Sequence, residues 1–395
     1  MTVYSPWWVV AALALALGTA ALLTRWQGTP ARDGRFVAID GLRGFLAFFV
    51  FLHHGSIWYG HLHGQSWVTP ASPLYRHLGD SSVALFFMIT AFLFTTKVID
   101  SDRRPIDWVQ LYVSRVMRLL PLYVLAAAAV WLMAWSLTDW TLQVPLRQVL
   151  SEAVNWLFFT IPRGETVNGL AQAHLLMAGV AWSLRFEWWF YLCLPALAFL
   201  LRRQRVPLGW VLFGVLNLLL FKARWHLDER AQAFLGGMAA AWVVRHEPLC
   251  HWARQRWVGL VVLACLAGLV TLAPYPGSLK ALLLLSVAFA LIACGNDVFG
   301  LLSARPSRLL GDMTYSLYLL HGLLLTFVIR WVVGVQRMAT WTPTEHWGLV
   351  IGLTVPLILL SAATYQRIER PAQAAVPALM RRIRRPAGSP PHIAS

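Results

Sequence analysis

The chain has 395 residues, 58% of them hydrophobic and only 13% charged, against about 25% charged in an ordinary soluble domain, so a water-soluble globule and a disordered chain are both excluded. The net charge of +16 invites a nucleic-acid reading, but no basic run carries interleaved aromatics along one polar face. Lipid is the main solvent, and the charge has to be explained by loops on one side of a membrane.

Apolar stretches long enough to span recur from residue 6 to residue 366, with no gap that would hold a separate soluble domain. The pattern predicts an all-α, polytopic bundle of about eleven helices near 6–25, 38–58, 77–97, 119–137, 182–201, 206–222, 231–245, 257–273, 278–294, 314–334 and 347–366. Residues 1–10 carry no positive charge, and Arg25, Arg32 and Arg35 follow the first apolar run. That run therefore reads as a retained helix with its N-terminus outside, not a cleaved signal.

Alternation from an outer N-terminus places 22 Lys and Arg in the inner loops and tail and nine in the outer loops, the asymmetry expected of a cytoplasmic C-terminus. The outer stretch 138–181 is too long for a hairpin. Its semi-apolar part, Val149 to Ile161, predicts an interfacial or re-entrant segment. The tail 372–395, with Arg381, Arg382, Arg384 and Arg385 before Pro386 and Pro390, is expected to be a disordered basic end near anionic headgroups. Cys193, Cys250, Cys265 and Cys294 are widely spaced and read as free thiols, neither a metal pair nor a disulfide framework.

Ionisable groups inside spans cost about 2.5 kcal/mol or more each on insertion scales, which makes each a functional candidate. Asp40, Arg43, His53 and His54 fall on the second helix, Arg185 and Glu187 on the fifth, and His321 on the tenth. Arg43 and His54 are eleven residues apart, close to three turns, so they share a face about 16 Å apart. Asp40 stands three residues before Arg43, at ion-pair spacing. His53 points roughly 100° away from His54, which suits an interhelical hydrogen bond. His61 and His63 extend the histidine cluster, but only Asp80 is near enough in sequence to help complete a metal shell, so no metal is expected. Arg115 and Arg118, one turn apart before Pro121, form a fork suited to phosphates.

Taken in order, several segments resemble the acyltransferase-3 family of membrane-bound O-acyltransferases over residues 36–371. Ile39-Asp40-Gly41-Leu42-Arg43-Gly44 through His54 is similar to the family's first-helix motif, with ten residues between Arg and His. Phe86 to Leu93 resembles the phenylalanine-pair motif, with Thr90-Ala91 where the family has Ser-Gly. Arg115 to Pro121, Trp182-Ser183-Leu184-Arg185-Phe186-Glu187, Tyr315 to His321, and Glu369-Arg370-Pro371 complete the set. On this resemblance the chain divides into an extra N-terminal helix with linker (1–35), the membrane domain (36–371) and the tail (372–395).

The resemblance implies transfer of an acyl group, commonly acetyl, from cytoplasmic acyl-CoA to a hydroxyl of a carbohydrate or glycolipid acceptor in a bacterial inner membrane, with no nucleic-acid partner. Arg43, Arg115 and Arg118 would bind the donor. His54 would act as general base, or as a transient acyl-imidazole. Glu187 would orient His54 or the acceptor, and Asp40, Tyr315 and His321 would support them, His321 on the donor side. A proton-coupled exporter is the rival that also uses buried Arg, His and Glu; it predicts an inverted repeat, which the sequence lacks. A non-catalytic lipid-binding subunit would leave the Arg43–His54 stack without a purpose.

Overall fold

A computed structural model describes residues 1–27, 36–103, 105–157, 165–201, 205–224 and 229–384. Among them the secondary structure is helical apart from one isolated bridge between Val167 and Leu170. In chain order the helices are α1 Pro6–Gln27, α2 Val37–Leu62, α3 Pro73–Ile99, α4 Trp108–Leu137, α5 Leu146–Leu157, α6 Trp182–Leu200, α7 Leu208–Arg224, α8 Ala233–Val243 and α9 Glu247–Ala253. They continue with α10 Val258–Leu272, α11 Leu279–Ala293, α12 Arg305–Asp312, α13 Thr314–Phe327, α14 Val335–Met338, α15 Pro343–Gly352, α16 Thr354–Thr364, α17 Arg370–Ala374 and α18 Val376–Arg384. Every predicted segment contains helix.

Six of these stretches are long and apolar enough to cross a membrane alone: Pro6–Arg25, Val37–Leu62, Pro73–Asp102, Trp108–Leu137, Thr314–Val333 and the bent arm Pro343–Arg384. Between residues 208 and 293 the helices are shorter. α8 has 11 residues, a reach of about 16 Å against a hydrocarbon core of about 30 Å. The pair α9 and α10 passes the same test only together, bent by 81°.

α4 starts at Trp108, eleven residues before the predicted boundary, because Asp107 caps it by accepting from Gln110 N at 3.0 Å. Arg115 and Arg118 therefore stand within α4, one turn apart as their spacing predicts. Residues 376–384 also depart from the expected disordered tail. Val376 and Met380 are buried at i, i+4, α18 lies on α4, and Arg384 pairs with Asp107; residues 28–35 and 385–395 lie outside the described residues.

The core is organised around α2, which packs against α3, α12 and α13. Small residues permit the closest contacts, as expected where lipid tails are as apolar as the helices. A Cβ at Gly311 on α12 would overlap the Asp40 carbonyl, and one at Gly41 on α2 would overlap the Leu302 carbonyl. On the other side of α3, Gly237 of α8 lies on the Met88 carbonyl; beside the Thr90-Ala91 pair, the close approach is made by the opposing helix. α1 lays Ala12, Ala16 and Ala20, all fully buried, onto α12 and α16.

The stretch 138–181 contains α5 followed by a 3-10 turn at Ala173–Met177, with residues 158–164 outside the described set. Glu152 of α5 accepts from Thr166 Oγ1 at 2.9 Å and Asn168 N at 2.7 Å, and Trp156 donates to Thr166 O at 3.1 Å. Non-helical backbone is thereby satisfied within protein. The 3-10 turn docks on α13, where a Cβ at Gly322 would meet the Met177 carbonyl. The segment therefore packs beside His321.

Gly311→Ala should cost about 1–3 kcal/mol by forcing α12 off α2, read as a lower unfolding midpoint in detergent. Gly348→Ala, where nothing lies within 4 Å of the added Cβ, should leave the midpoint unchanged.

Candidate active site

Inside the bundle a cavity of about 100 Å³ is lined by Arg43, Arg115, Arg118 and Glu187 together with Thr90, Tyr191, Tyr315 and Tyr318. Five separate helices, α2, α3, α4, α6 and α13, are needed to assemble it. Arg43 comes from α2; Arg115 and Arg118 come one turn apart from α4, and Glu187 comes from α6. Arg43 Nη1 is 4.0 Å from Asp40 Oδ1, the predicted i, i+3 pair at its loosest, with Asp40 40% exposed. The Arg115 guanidinium lies over the rings of Phe94 at 5.3 Å and Tyr191 at 5.9 Å, a cation–π seat that leaves its buried Nε without a hydrogen-bond partner.

Glu187 Oε1 accepts from Thr90 Oγ1 at 3.4 Å and from the Tyr191 hydroxyl. Three guanidiniums and the Glu187 carboxylate thus line one cavity, while Asp40 and the buried Glu369 add negative charge beside Arg43 and Arg118. Guanidiniums inside a bundle need anions to answer them.

The second group lies further along α2. His321 Nε2 is 3.0 Å from His54 Nδ1, and their rings are stacked at 5.1 Å. His54 Nδ1 also meets Val50 O at 3.0 Å, and His321 Nδ1 meets Leu317 O at 3.1 Å. A carbonyl only accepts, so both Nδ1 atoms are assigned as N–H donors. His54 then shares its Nδ1–H between Val50 O and the His321 Nε2 lone pair, and its own Nε2 keeps a lone pair. That is the tautomer of a base.

Tyr318 stands between the two groups. It lines the arginine cavity, and its ring meets His321 edge-on at 6.2 Å. Its hydroxyl contacts Ser183 Oγ at 2.8 Å and donates to Val180 O at 3.1 Å. Tyr315 is held by donating to Leu119 O at 2.9 Å.

The structure brings five predicted residues, Arg43, Arg115, Arg118, Glu187 and Tyr315, to one cavity, and pairs His54 with His321 outside its lining. Two placements differ from the sequence reading. Glu187 takes its bonds from Thr90 and Tyr191 and does not line up with His54, because α6 delivers it at the level of the arginines. His321 sits on His54 and not toward the donor side, because α13 runs beside α2 at that depth. His53 makes the expected interhelical bond, with Nδ1 2.7 Å from Tyr75 O. His63 stacks on Tyr59 at 4.1 Å, and His61 packs against Trp58 and Trp67; among the described residues no three His, Cys, Asp or Glu converge as a metal site.

Sequence reasoning gave Thr90, Tyr191 and Tyr318 no role in the site. Tyr191 was detectable, since i, i+4 places it on the Glu187 face. Thr90 and Tyr318 owe their positions to packing between helices.

The Acyltransferase domain family matches residues 36–363. The chain is also similar to the exopolysaccharide production protein ExoZ of Rhizobium meliloti (strain 1021), 27% identical over 318 residues and covering 74% of this chain and 89% of that protein. No solved structure matches. With the six motifs in order and the match spanning most of its length, the chain belongs to the acyltransferase-3 family of membrane acyltransferases.

Proposed function

We propose that the protein transfers an acyl group, most simply acetyl, from cytoplasmic acyl-CoA to a hydroxyl of a carbohydrate or glycolipid at the outer side of a bacterial inner membrane. The observation that carries this reading is the arginine-lined cavity separated by one tyrosine from a buried histidine pair. The similarity to an exopolysaccharide production protein supports a saccharide acceptor. Membership of an acyltransferase family favours transfer over the export reading.

CoA is a polyanion at one end and a thioester at the end of a long flexible arm. The cavity of about 100 Å³ suits the arm, not the nucleotide. At the same end of the bundle a cleft of about 1420 Å³, lined by Lys97, Arg103, Arg245 and Arg254 and also by Asp100, Asp102, Asp107 and Glu247, has room for the nucleotide. Arg43, Arg115 and Arg118 then complete their charge balance with the inner phosphates. Glu187, held by Thr90 and Tyr191, spaces the three guanidiniums.

With the thioester past Tyr318, an acceptor hydroxyl attacks the carbonyl carbon. The C–O bond forms, the proton passes to His54 Nε2, the C–S bond breaks, and the thiolate leaves and is reprotonated from the imidazolium. His321 holds the His54 ring in the required tautomer, as second-partner groups do for other imidazole bases.

The test is transfer of label from radiolabelled acetyl-CoA to envelope carbohydrate in inside-out vesicles, with insertion of each variant checked. His54→Ala should lower transfer by about 100-fold or more, the usual worth of a general base, while His53→Ala keeps most of it; full activity in His54→Ala would remove the histidine from the mechanism. Arg115→Ala and Arg118→Ala should raise the KM for acetyl-CoA by about tenfold or more with the acceptor KM unchanged. His321→Asn should lower kcat by about tenfold and move the acid limb of its pH profile, with both KM values unchanged.

A further inference from the structure

His54 is 9% exposed, yet an acceptor hydroxyl has to come within about 3 Å of its Nε2. Tyr318 bounds the histidines on the donor side. At the α2–α3 end the approach runs past the connection 63–72. Within residues 63–69 of that connection every residue but Trp67 is exposed, and Trp67 is half-buried. Its ring lies nearly parallel to the His54 imidazole, at 22° and 6.3 Å, and at right angles to the Trp58 indole at 5.2 Å.

The segment is tied down on either side of Trp67 but not at it. Gln65 N donates to Gly60 O at 3.0 Å, and Arg76 donates to Pro70 O at 3.2 Å. Trp58 is 2% exposed, and its indole N–H has no hydrogen-bond partner. A buried donor left unpaired is costly and needs a reason. A ligand oxygen supplies one.

On the other flank, Thr69 of the same segment borders a groove of about 920 Å³ that also includes Asp80, Tyr275 and Ser278, within the size range of ligand sites. Two residues of chain span about 7 Å at most, so the groove begins within that backbone reach of Trp67.

We infer that Trp67 and Trp58 form the acceptor subsite. One pyranose ring of an extended saccharide displaces Trp67 from His54 and stacks on it, takes the Trp58 N–H on a ring oxygen or hydroxyl, and runs its neighbouring sugars into the Tyr275 groove. An aromatic face, an N–H donor and a base beside them match a ring with an apolar C–H face and a rim of hydroxyls. Without acceptor, Trp67 shields His54 from water, which would otherwise take the acyl group by hydrolysis. This inference rests on the acyl-transfer reading above.

The experiment uses the full chain in nanodiscs with acetyl-CoA, and measures label transfer to two probes, methyl β-glucopyranoside and an oligosaccharide hydrolysate of envelope polysaccharide. Thiol release without acceptor is measured alongside. Trp67→Ala should raise the oligosaccharide KM by about tenfold or more, leave the acetyl-CoA KM unchanged and increase hydrolysis relative to transfer, with Trp67→Phe between it and wild type. Trp58→Phe should lower kcat/KM for acceptor alone, and Tyr275→Ala should weaken the oligosaccharide but not the monosaccharide. Unfolding midpoints are compared throughout. Wild-type transfer with an unchanged acceptor KM and hydrolysis ratio in Trp67→Ala would overturn the subsite and leave the acyl-transfer reading standing; absence of transfer and of thiol release in wild type would overturn both.

Discussion

Three guanidiniums and a carboxylate lining one cavity, inside a bundle whose outer solvent is hydrocarbon, set the terms for the rest of the molecule. Charge there survives only when polar partners answer it. Two of the arginines are held by something other than a close ion pair: Arg115 by the faces of Phe94 and Tyr191, and Arg43 by a long contact to a half-exposed Asp40.

The same requirement explains where the helices approach most closely. Arg43 faces the cavity because α2 is clamped to α12 through glycines that place backbone on backbone. Glu187 reaches the arginines because α6 enters just after the 3-10 turn that docks on α13. Tyr318, on that same α13, then divides the polar interior into two compartments. One is lined by the three arginines and Glu187. The other holds an imidazole whose Nδ1–H is committed to Val50 and His321, leaving a single nitrogen for chemistry.

Much of this was legible in the chain. Fold class followed from hydropathy, because lipid exposure demands long apolar helices whatever their order. The Arg43–His54 stack followed from helical periodicity, and the Arg115–Arg118 fork from i, i+3 spacing, since both depend on one helix each. The start of α4 was misplaced because a capping side chain, Asp107, outweighed the polar residues Gln110, Ser114, Arg115 and Arg118 in its first three turns. The helical end at 376–384 was missed because its two buried residues gain their value only from α4 beneath them.

Relations between helices were the province of tertiary structure. Nothing in the spacing of His54 and His321, 267 residues apart, brings their rings together; that comes from the packing of α13 on α2. Nor does the sequence say that Glu187 belongs with the arginines and not with His54, or that Trp67 lies over the imidazole. Local periodicity fixes the direction in which a side chain leaves its own helix. Which partner it meets there depends on interhelical depth and rotation, set by glycine contacts, buried hydrogen bonds and re-entrant backbone drawn from the whole chain.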